Sequence, residues 1–202
     1  MNIKTFSATD PVHYLDQILK ALNSSFVYYG SNRAKKSFTH ESVWIDIVKV
    51  FKTSCANGGK LIFIGNGGSA AIAGHMALDF SNRGGLRAIC FNDGPLLTCL
   101  ANDYSYENVF LKAINIYANP EDVLIAISSS GQSENVLRGV DAATKKGCKV
   151  ITFSGFDKAN PLRKLGELNV HVSIPRPNYG LVEVSHHIIL HFILDYILEN
   201  PA

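Results

Sequence analysis

The chain has 202 residues, 47% of them apolar and 18% charged, with 19 Lys and Arg against 17 Asp and Glu. That length suits one domain, and a net charge of +2 is too small to hold a nucleic-acid backbone by electrostatics alone. Charged residues fall short of the roughly 25% typical of soluble chains. With no apolar run of the length that crosses a bilayer, the shortage points to extra buried surface between subunits rather than to a membrane.

The opening MNIKTFSATD carries no apolar run of signal-peptide length. Cys55, Cys90, Cys99 and Cys148 lie far apart without a Cys-x-x-Cys pair, which reads as thiols in a reducing, cytoplasmic setting rather than a disulfide frame. Two amphipathic helices are predicted at about 10–26 and 39–57, because positions such as Tyr14, Ile18, Leu19 and Leu22 recur at helical spacing. From Gly59 onward, short β-branched runs alternate with helical stretches. Strands are predicted at 60–65, 86–92, 122–128, 149–154 and 169–174, and helices at about 69–82, 104–117, 133–146 and 157–166. Several strands are apolar on consecutive residues, as in a parallel sheet covered on both faces. The expected fold is therefore α/β, a three-layer αβα sandwich on a five-stranded parallel sheet, with ligands at the carboxyl ends of the strands. One domain is expected over 1–202, with N-terminal helices to 58, the α/β core over 59–180 and a last helix over 181–200. That helix is apolar on every side, so it is expected to be buried, partly in a subunit interface.

Two loops have the character of oxyanion cradles. The first strand ends in Gly65-Asn66-Gly67-Gly68-Ser69 and runs into AAIAGHMALDF, so free amides and the dipole of a new helix face whatever the glycines let approach. Ser69 is expected at the cap position of that helix. Ala70 and Ala71 exclude a Walker A motif, and the spacing is not that of a dinucleotide fingerprint. The third strand ends in Ser128-Ser129-Ser130-Gly131-Gln132-Ser133, also before a helix. Ordinary strand-to-helix turns use the same residue types, but two such loops in one parallel sheet favour an anion. Neither loop contains lysine, which favours a monophosphate held by hydroxyls, amides and helix dipoles over a nucleoside triphosphate with Mg²⁺.

GNGGS before a helix, followed by ISSSGQSENVLRGVDAATKKG and KVITFSG, resembles the sugar isomerase (SIS) domain family, and within it the phosphoheptose isomerase group. The resemblance runs from about Gly59 to the C-terminus and includes LANDYSYENVF. It implies a SIS fold of flavodoxin-like type and a homotetramer with active sites at subunit interfaces. The implied activity is conversion of sedoheptulose 7-phosphate to D-glycero-D-manno-heptose 7-phosphate through an enediol, for surface polysaccharide synthesis. The implied phosphate ligands are Ser69, Ser128, Ser129, Ser130 and Ser133, with Asn66, Gly67, Gly68, Asn102, Asp103 and Glu183 on the sugar.

Such a reaction needs one group to move a carbon-bound proton and another to manage charge on oxygen. His75 and Asp79 are four apart on one predicted helix, and Glu183, His187 and His191 are spaced by four on another. Pairs from two helices could supply acid–base catalysis or a four-ligand divalent metal site. The resemblance assigns His75, Asp79, Glu183 and His191 to zinc, Asp79 as base and His191 as acid or proton shuttle. His13, His40, His171, His186 and His187 are read as hydrogen-bonded structural histidines. Two departures stand out: the family carries Glu where this chain has Asp79, and Gln where it has Glu183. The extra carboxylate leaves Mn²⁺ open as the ion, and NYGL (178–181) lacks the charged residues common there in the family. These departures motivate a rival reading, a noncatalytic phosphosugar-binding protein acting as a regulator or as a replication-initiator-binding assembly factor. An isomerase of another sugar phosphate is the remaining alternative.

Overall fold

The computed structural model describes residues 10–30 and 34–201. Its centre is β5 (Val123–Ser128), buried at every residue and flanked by the parallel strands β3 (Leu61–Gly65) and β6 (Lys149–Ser154). Beyond β3 lies β4 (Ala88–Cys90), and beyond β6 lies β7 (Leu168–His171), both parallel to their neighbours. The alternation of side chains along a strand divides the core. Leu61, Phe63, Val123, Ile125, Ile127, Ile151 and Phe153 face α2 (Glu41–Ala56), α3 (Gly68–Asn82) and α7 (Tyr179–Glu199). Ile62, Ile64, Leu124, Ala126 and Val150 face α4 (Gly94–Tyr104), α5 (Val109–Tyr117) and α6 (Glu134–Lys145). The helix α1 (Pro11–Asn23) packs beside α7, where Ala21 joins the first of these cores.

The sheet corrects the expectation of five strands. It has seven and is mixed, in the order β2-β1-β7-β6-β5-β3-β4. The addition is a hairpin, β1 (Phe26–Tyr29) with β2 (Ala34–Ser37), which pairs antiparallel to β7 through Val27↔Val170. The sequence assigns no strand to this stretch between the two N-terminal helices. Only Val27 is fully buried, so its apolar signal is weak, and lysines 35 and 36 line the outer edge as charge commonly does on unpaired strands.

Two helices also differ from expectation. The stretch expected to start at Tyr104 is preceded by a whole helix, α4, whose start is set by Asp93 accepting from Leu96 N at 3.0 Å and by Pro95 in the first turn. Ser105 ends it with φ +69°, and a 3₁₀ turn at Tyr106–Asn108 leads into α5. Residues 157–166 hold only a 3₁₀ turn at Leu162–Lys164. There the buried amide of Asn160 donates to Asp157 O (2.7 Å) and Gly155 O (3.2 Å), a local alternative to helical bonding.

The helix α7 is buried on one side only. Val182, Ile189, Leu190, Ile193 and Leu194 are fully inside, whereas Val184, Ile188 and Phe192 are about 40% exposed. It is long and apolar enough to cross a membrane, but within the chain it serves as a core helix. Cys148 is buried, Cys55 and Cys90 are half-buried and Cys99 is exposed, all as free thiols.

Asp122 ties the lower ends of β3 and β5 together. It is 1% exposed, accepts from Lys60 N and Asn119 N at 2.8 Å each, and pairs with Lys60 Nζ at 2.6 Å. Replacing Asp122 with Ala strands two amides and leaves the partly buried Lys60 ammonium with Tyr117 O alone, so urea unfolding is expected to register a loss of about 3 kcal/mol. A loss under about 1 kcal/mol would mean that water replaces the carboxylate there.

Beneath the upper end of β6, His171 and His186 share Ser154: His171 Nδ1 lies 3.1 Å from its Oγ and His186 Nε2 lies 3.1 Å from its carbonyl oxygen. Burial holds both rings neutral, pushing their pKa values down to about 4, with Arg163 and Lys158 adding to the effect at His171. The unfolded chain, with histidines near 6.5, binds more protons over that interval. Stability is therefore full above pH 6.5, falls as pH is lowered to about 4 at roughly 1.4 kcal/mol per pH unit for each ring, and then levels off. Urea midpoints measured from pH 7 to pH 4 check this, and His171→Gln should remove about half of the slope.

Candidate active site

Because β3 and β5 are neighbours with Gly65 beside Ile127, the loops that follow them emerge side by side. Between them lies a cavity of about 220 Å³ lined by Asn66, Gly67, Gly68, Ser69, Ile127, Ser128, Ser129, Ser130, Ser133, Tyr179 and Glu183. Every residue assigned to the phosphate is in this lining, and so are Asn66, Gly67, Gly68 and Glu183 from the sugar set.

The helix ends explain the chemistry of the cavity. Among the described residues, α1, α2, α4 and α7 begin under side-chain caps from Asp10, His40, Asp93 and Asn178. The two helices that start at the cavity, α3 and α6, have none; α5, which continues from the 3₁₀ turn at Tyr106–Asn108, has none either. Ser69 is not the cap it was expected to be; Gly67 is, at φ +53°, and Ser69 lies inside the first turn. Ser133 is the cap residue of α6, but its Oγ faces Ser128 Oγ at 3.2 Å. Ala70 N is bonded to Gly67 O and Val136 N to Asn135 Oδ1, each at 3.0 Å, so the first amides of each helix and two helix dipoles remain for an anion. The buried Ser129 Oγ likewise has no hydrogen-bond partner among the described residues.

Apart from Asn66, the side chains that brace the cradle carry no local signal in the sequence. Asn66 and Asn135 exchange two amide hydrogen bonds, 2.8 and 2.9 Å, which lock the loops to each other, and Tyr106 Oη donates to Asn66 Oδ1 at 3.0 Å. On the other side, Gly155 N donates to Ser129 O and Leu162 N to Gly131 O, each at 3.0 Å. Gly131 adopts φ +64°, and a Cβ there would strike the Asn160 amide, so both the turn and the close approach require glycine. These roles depend on which strands are neighbours, and no local motif encodes that. Asn102 and Asp103 fall outside the cavity: both are exposed on α4, bonded to each other at 3.0 Å. An adjoining recess, which shares Asn66 and Gly67, is lined instead by Asn92, Leu97 and Tyr106.

Glu183 enters from α7 and lies against the backbone of Gly68, so close that a Cβ on Gly68 would meet its carboxylate. Burial raises its pKa. The other titratable groups collect further along α3 and α7. The His187 and His191 rings are 4.7 Å apart by centroid, with the His75 ring 5.0 and 5.2 Å from them. One ligand atom from each of these three lies within 4.8 Å of the others. Asp79 leans back toward the start of its helix, with Oδ2 3.5 Å from His75 Nε2 and 3.8 Å from Arg83 Nη1. Burial, then His191 and His75, push the pKa of His187 down, against a smaller pull from Asp79.

The expected metal set is thus only partly brought together. His75 and His191 meet, Asp79 stands behind His75, and Glu183 is a turn away at the cradle. His187, read as a structural histidine, is the third member of the cluster, and its buried Nε2 has no hydrogen-bond partner among the described residues. Convergent imidazoles with an orphaned buried nitrogen fit a divalent cation of the zinc type.

The SIS domain family model matches residues 33–155. A phosphoheptose isomerase of Thermodesulfovibrio yellowstonii is 33% identical, over 93% of this chain and 94% of that protein. One of Alkalilimnicola ehrlichii is 37% identical over 70% of this chain and 76% of its own. Among solved structures, the phosphoheptose isomerase of Neisseria gonorrhoeae superposes with a TM-score of 0.77 at 27% identity, covering 94% of this chain and 97% of that one. That of Francisella tularensis does so with a TM-score of 0.77 at 26% identity, covering 97% and 100%. With the domain matched over more than half its length and a relative aligned over nearly all of it, the chain belongs to the SIS domain family, in its phosphoheptose isomerase branch.

Proposed function

We propose that this protein is a ketose–aldose isomerase that converts sedoheptulose 7-phosphate to D-glycero-D-manno-heptose 7-phosphate. The observation that carries the reading is the cradle of two uncapped helix N-termini with the acid–base cluster further along one of the same helices. His75 stands six residues beyond Ser69, about 9 Å along the helix axis. An extended seven-carbon chain has about that length, at roughly 1.25 Å of projection per C–C bond. Between them α3 presents the exposed Ala71 and the half-buried Gly74 to the adjoining recess, small residues along which a sugar chain can lie.

The phosphate is held by Ser69, Ser128, Ser129, Ser130 and Ser133 and by the free amides of α3 and α6. At the other end the carboxylate of Asp79 takes a proton from C1, and the electrons left behind form the C1=C2 bond of an enediol. The proton of the C1 hydroxyl passes to O2 as the carbonyl character moves to C1, and Asp79 returns its proton to C2. Oδ2 of Asp79 is engaged with His75 and Arg83, which leaves Oδ1 for the substrate. A divalent cation, zinc by its imidazole donors, would be held by the histidines where α3 meets α7 and, when bound, polarises the sugar oxygens. His191 is assigned to that cation, because a ligand nitrogen has no proton to hand on.

The open apolar faces of α1 (Val12, Leu15, Leu19) and α7 (Val184, Ile188, Phe192), with Leu78 on α3, support a homotetramer in which neighbours cover the substrate-bearing face. The setting is the cytoplasm, and the product feeds surface polysaccharide synthesis.

Two substitutions separate the roles. Asp79→Asn is expected to lower kcat for sedoheptulose 7-phosphate by about 10²- to 10⁴-fold with KM little changed. Ser129→Ala should chiefly raise KM, by about tenfold. Wild-type turnover by Asp79→Asn would remove that residue as the base, and a protein that binds the sugar phosphate without converting it would favour the binding-protein reading.

A further inference from the structure

We infer that the divalent cation is bound by three imidazoles, those of His75, His187 and His191, and that Asp79 and Glu183 stay outside its coordination shell. The inference deepens the reading above and borrows from it only that a divalent cation belongs to this site.

Three features of the chain converge on it. His187 and His191 are one turn apart on α7, so their side chains project from the same face, and His75 meets them from α3. The three offer ligand atoms that all lie within 4.8 Å of one another, close enough for side-chain rotation alone to bring them onto one ion. Second, the packing histidines His171 and His186 each anchor one ring nitrogen on Ser154, although their other nitrogens, like Nε2 of His187, are buried without a partner among the described residues. His187 has no such anchor among the described residues, and its ring stands beside two other imidazoles instead. Third, both carboxylates are engaged elsewhere. Glu183 lies against Gly68 at the phosphate cradle, and Asp79 backs His75 while sharing Arg83. A carboxylate on the ring of a ligand histidine is an orienting partner, which sets the ring's tautomer and raises its basicity.

The ligand set has a chemical consequence. Three neutral nitrogens leave the ion its full double charge, whereas two carboxylates would cancel it. Three protein ligands also leave a coordination position for a sugar oxygen, as in catalytic zinc sites. Imidazole donors favour zinc or cobalt over magnesium and manganese.

The test reads metal binding directly, with no substrate present. Protein stripped with chelator is titrated with Co²⁺, and the visible absorption of the bound ion is followed in wild type, His187→Gln and Glu183→Gln, with circular dichroism verifying that each is folded. His187→Gln is expected to weaken Co²⁺ binding by at least about tenfold and to alter the band shape, while Glu183→Gln stays within about threefold of wild type. X-ray absorption on zinc-loaded wild type, which needs no variant, is expected to count three imidazoles. A count of two, an unchanged affinity in His187→Gln, a Glu183→Gln defect as large as that of His187→Gln, or no Co²⁺ binding at all would each overturn the inference. Turnover of sedoheptulose 7-phosphate, assayed separately, reports on the isomerase reading: an inactive protein that still holds its cation on three imidazoles defeats that reading and not this one.

Discussion

Everything at the functional end of this molecule depends on two adjacent parallel strands finishing level with one another. Because β3 and β5 pair through Gly65↔Ile127, the helices that follow them start side by side, and their amide ends point into one shared space. A protein normally closes such ends with its own side chains, as it does at α1, α2, α4 and α7. Here it ties the two loops to each other through Asn66 and Asn135 and leaves the first amides of both helices without a side-chain cap. The cradle is stiff because its bracing lies behind it rather than within it.

The same economy of placement appears in α7. One face fills the core with Ile189, Leu190, Ile193 and Leu194, and an adjoining strip carries Glu183, His187 and His191 at four-residue intervals. A helix locked by so much buried apolar surface offers its polar groups little freedom to wander, and this is the kind of rigid element on which closely spaced donors can be held. The facing helix α3 is fixed at its start by the cradle and along its length by Phe80 and Met76 in the core.

The parts that were legible in the sequence are those written in local pattern. Continuous apolar runs marked β3, β5 and β6, and Gly-Gly-Ser and the serine run marked the cradle, because a helix start with small hydroxylated residues is a local event. The hairpin β1–β2 was not legible, since FVYY and AKKS gain their pairing from β7, more than a hundred residues away. Asn135 and Asn160 were hidden for the same reason: each is a polar residue whose task appears only when a distant loop arrives beside it. The meeting of His187 with His75 and His191 was not legible, because a histidine on an apolar helix looks the same whatever stands opposite it, and only the position of α3 brings the three rings together. Asn102 and Asp103 came from the family resemblance rather than from any pattern in their own surroundings, and they lie outside the cavity.

A cradle built from hydroxyls and helix ends, with no lysine or arginine in its lining, binds its anion without a local excess of fixed positive charge. Long-range attraction is correspondingly small, since the whole chain carries only +2. Phosphate esters then find the site by ordinary diffusion and are retained by short-range directed contacts in a recess, which dissolved salt screens far less than it screens pairs of surface charges. Affinity in such a site follows the fit of a tetrahedral group to a fixed set of donors. It should change little with ionic strength, so the protein would work much the same in dilute buffer as in a salt-rich cell interior.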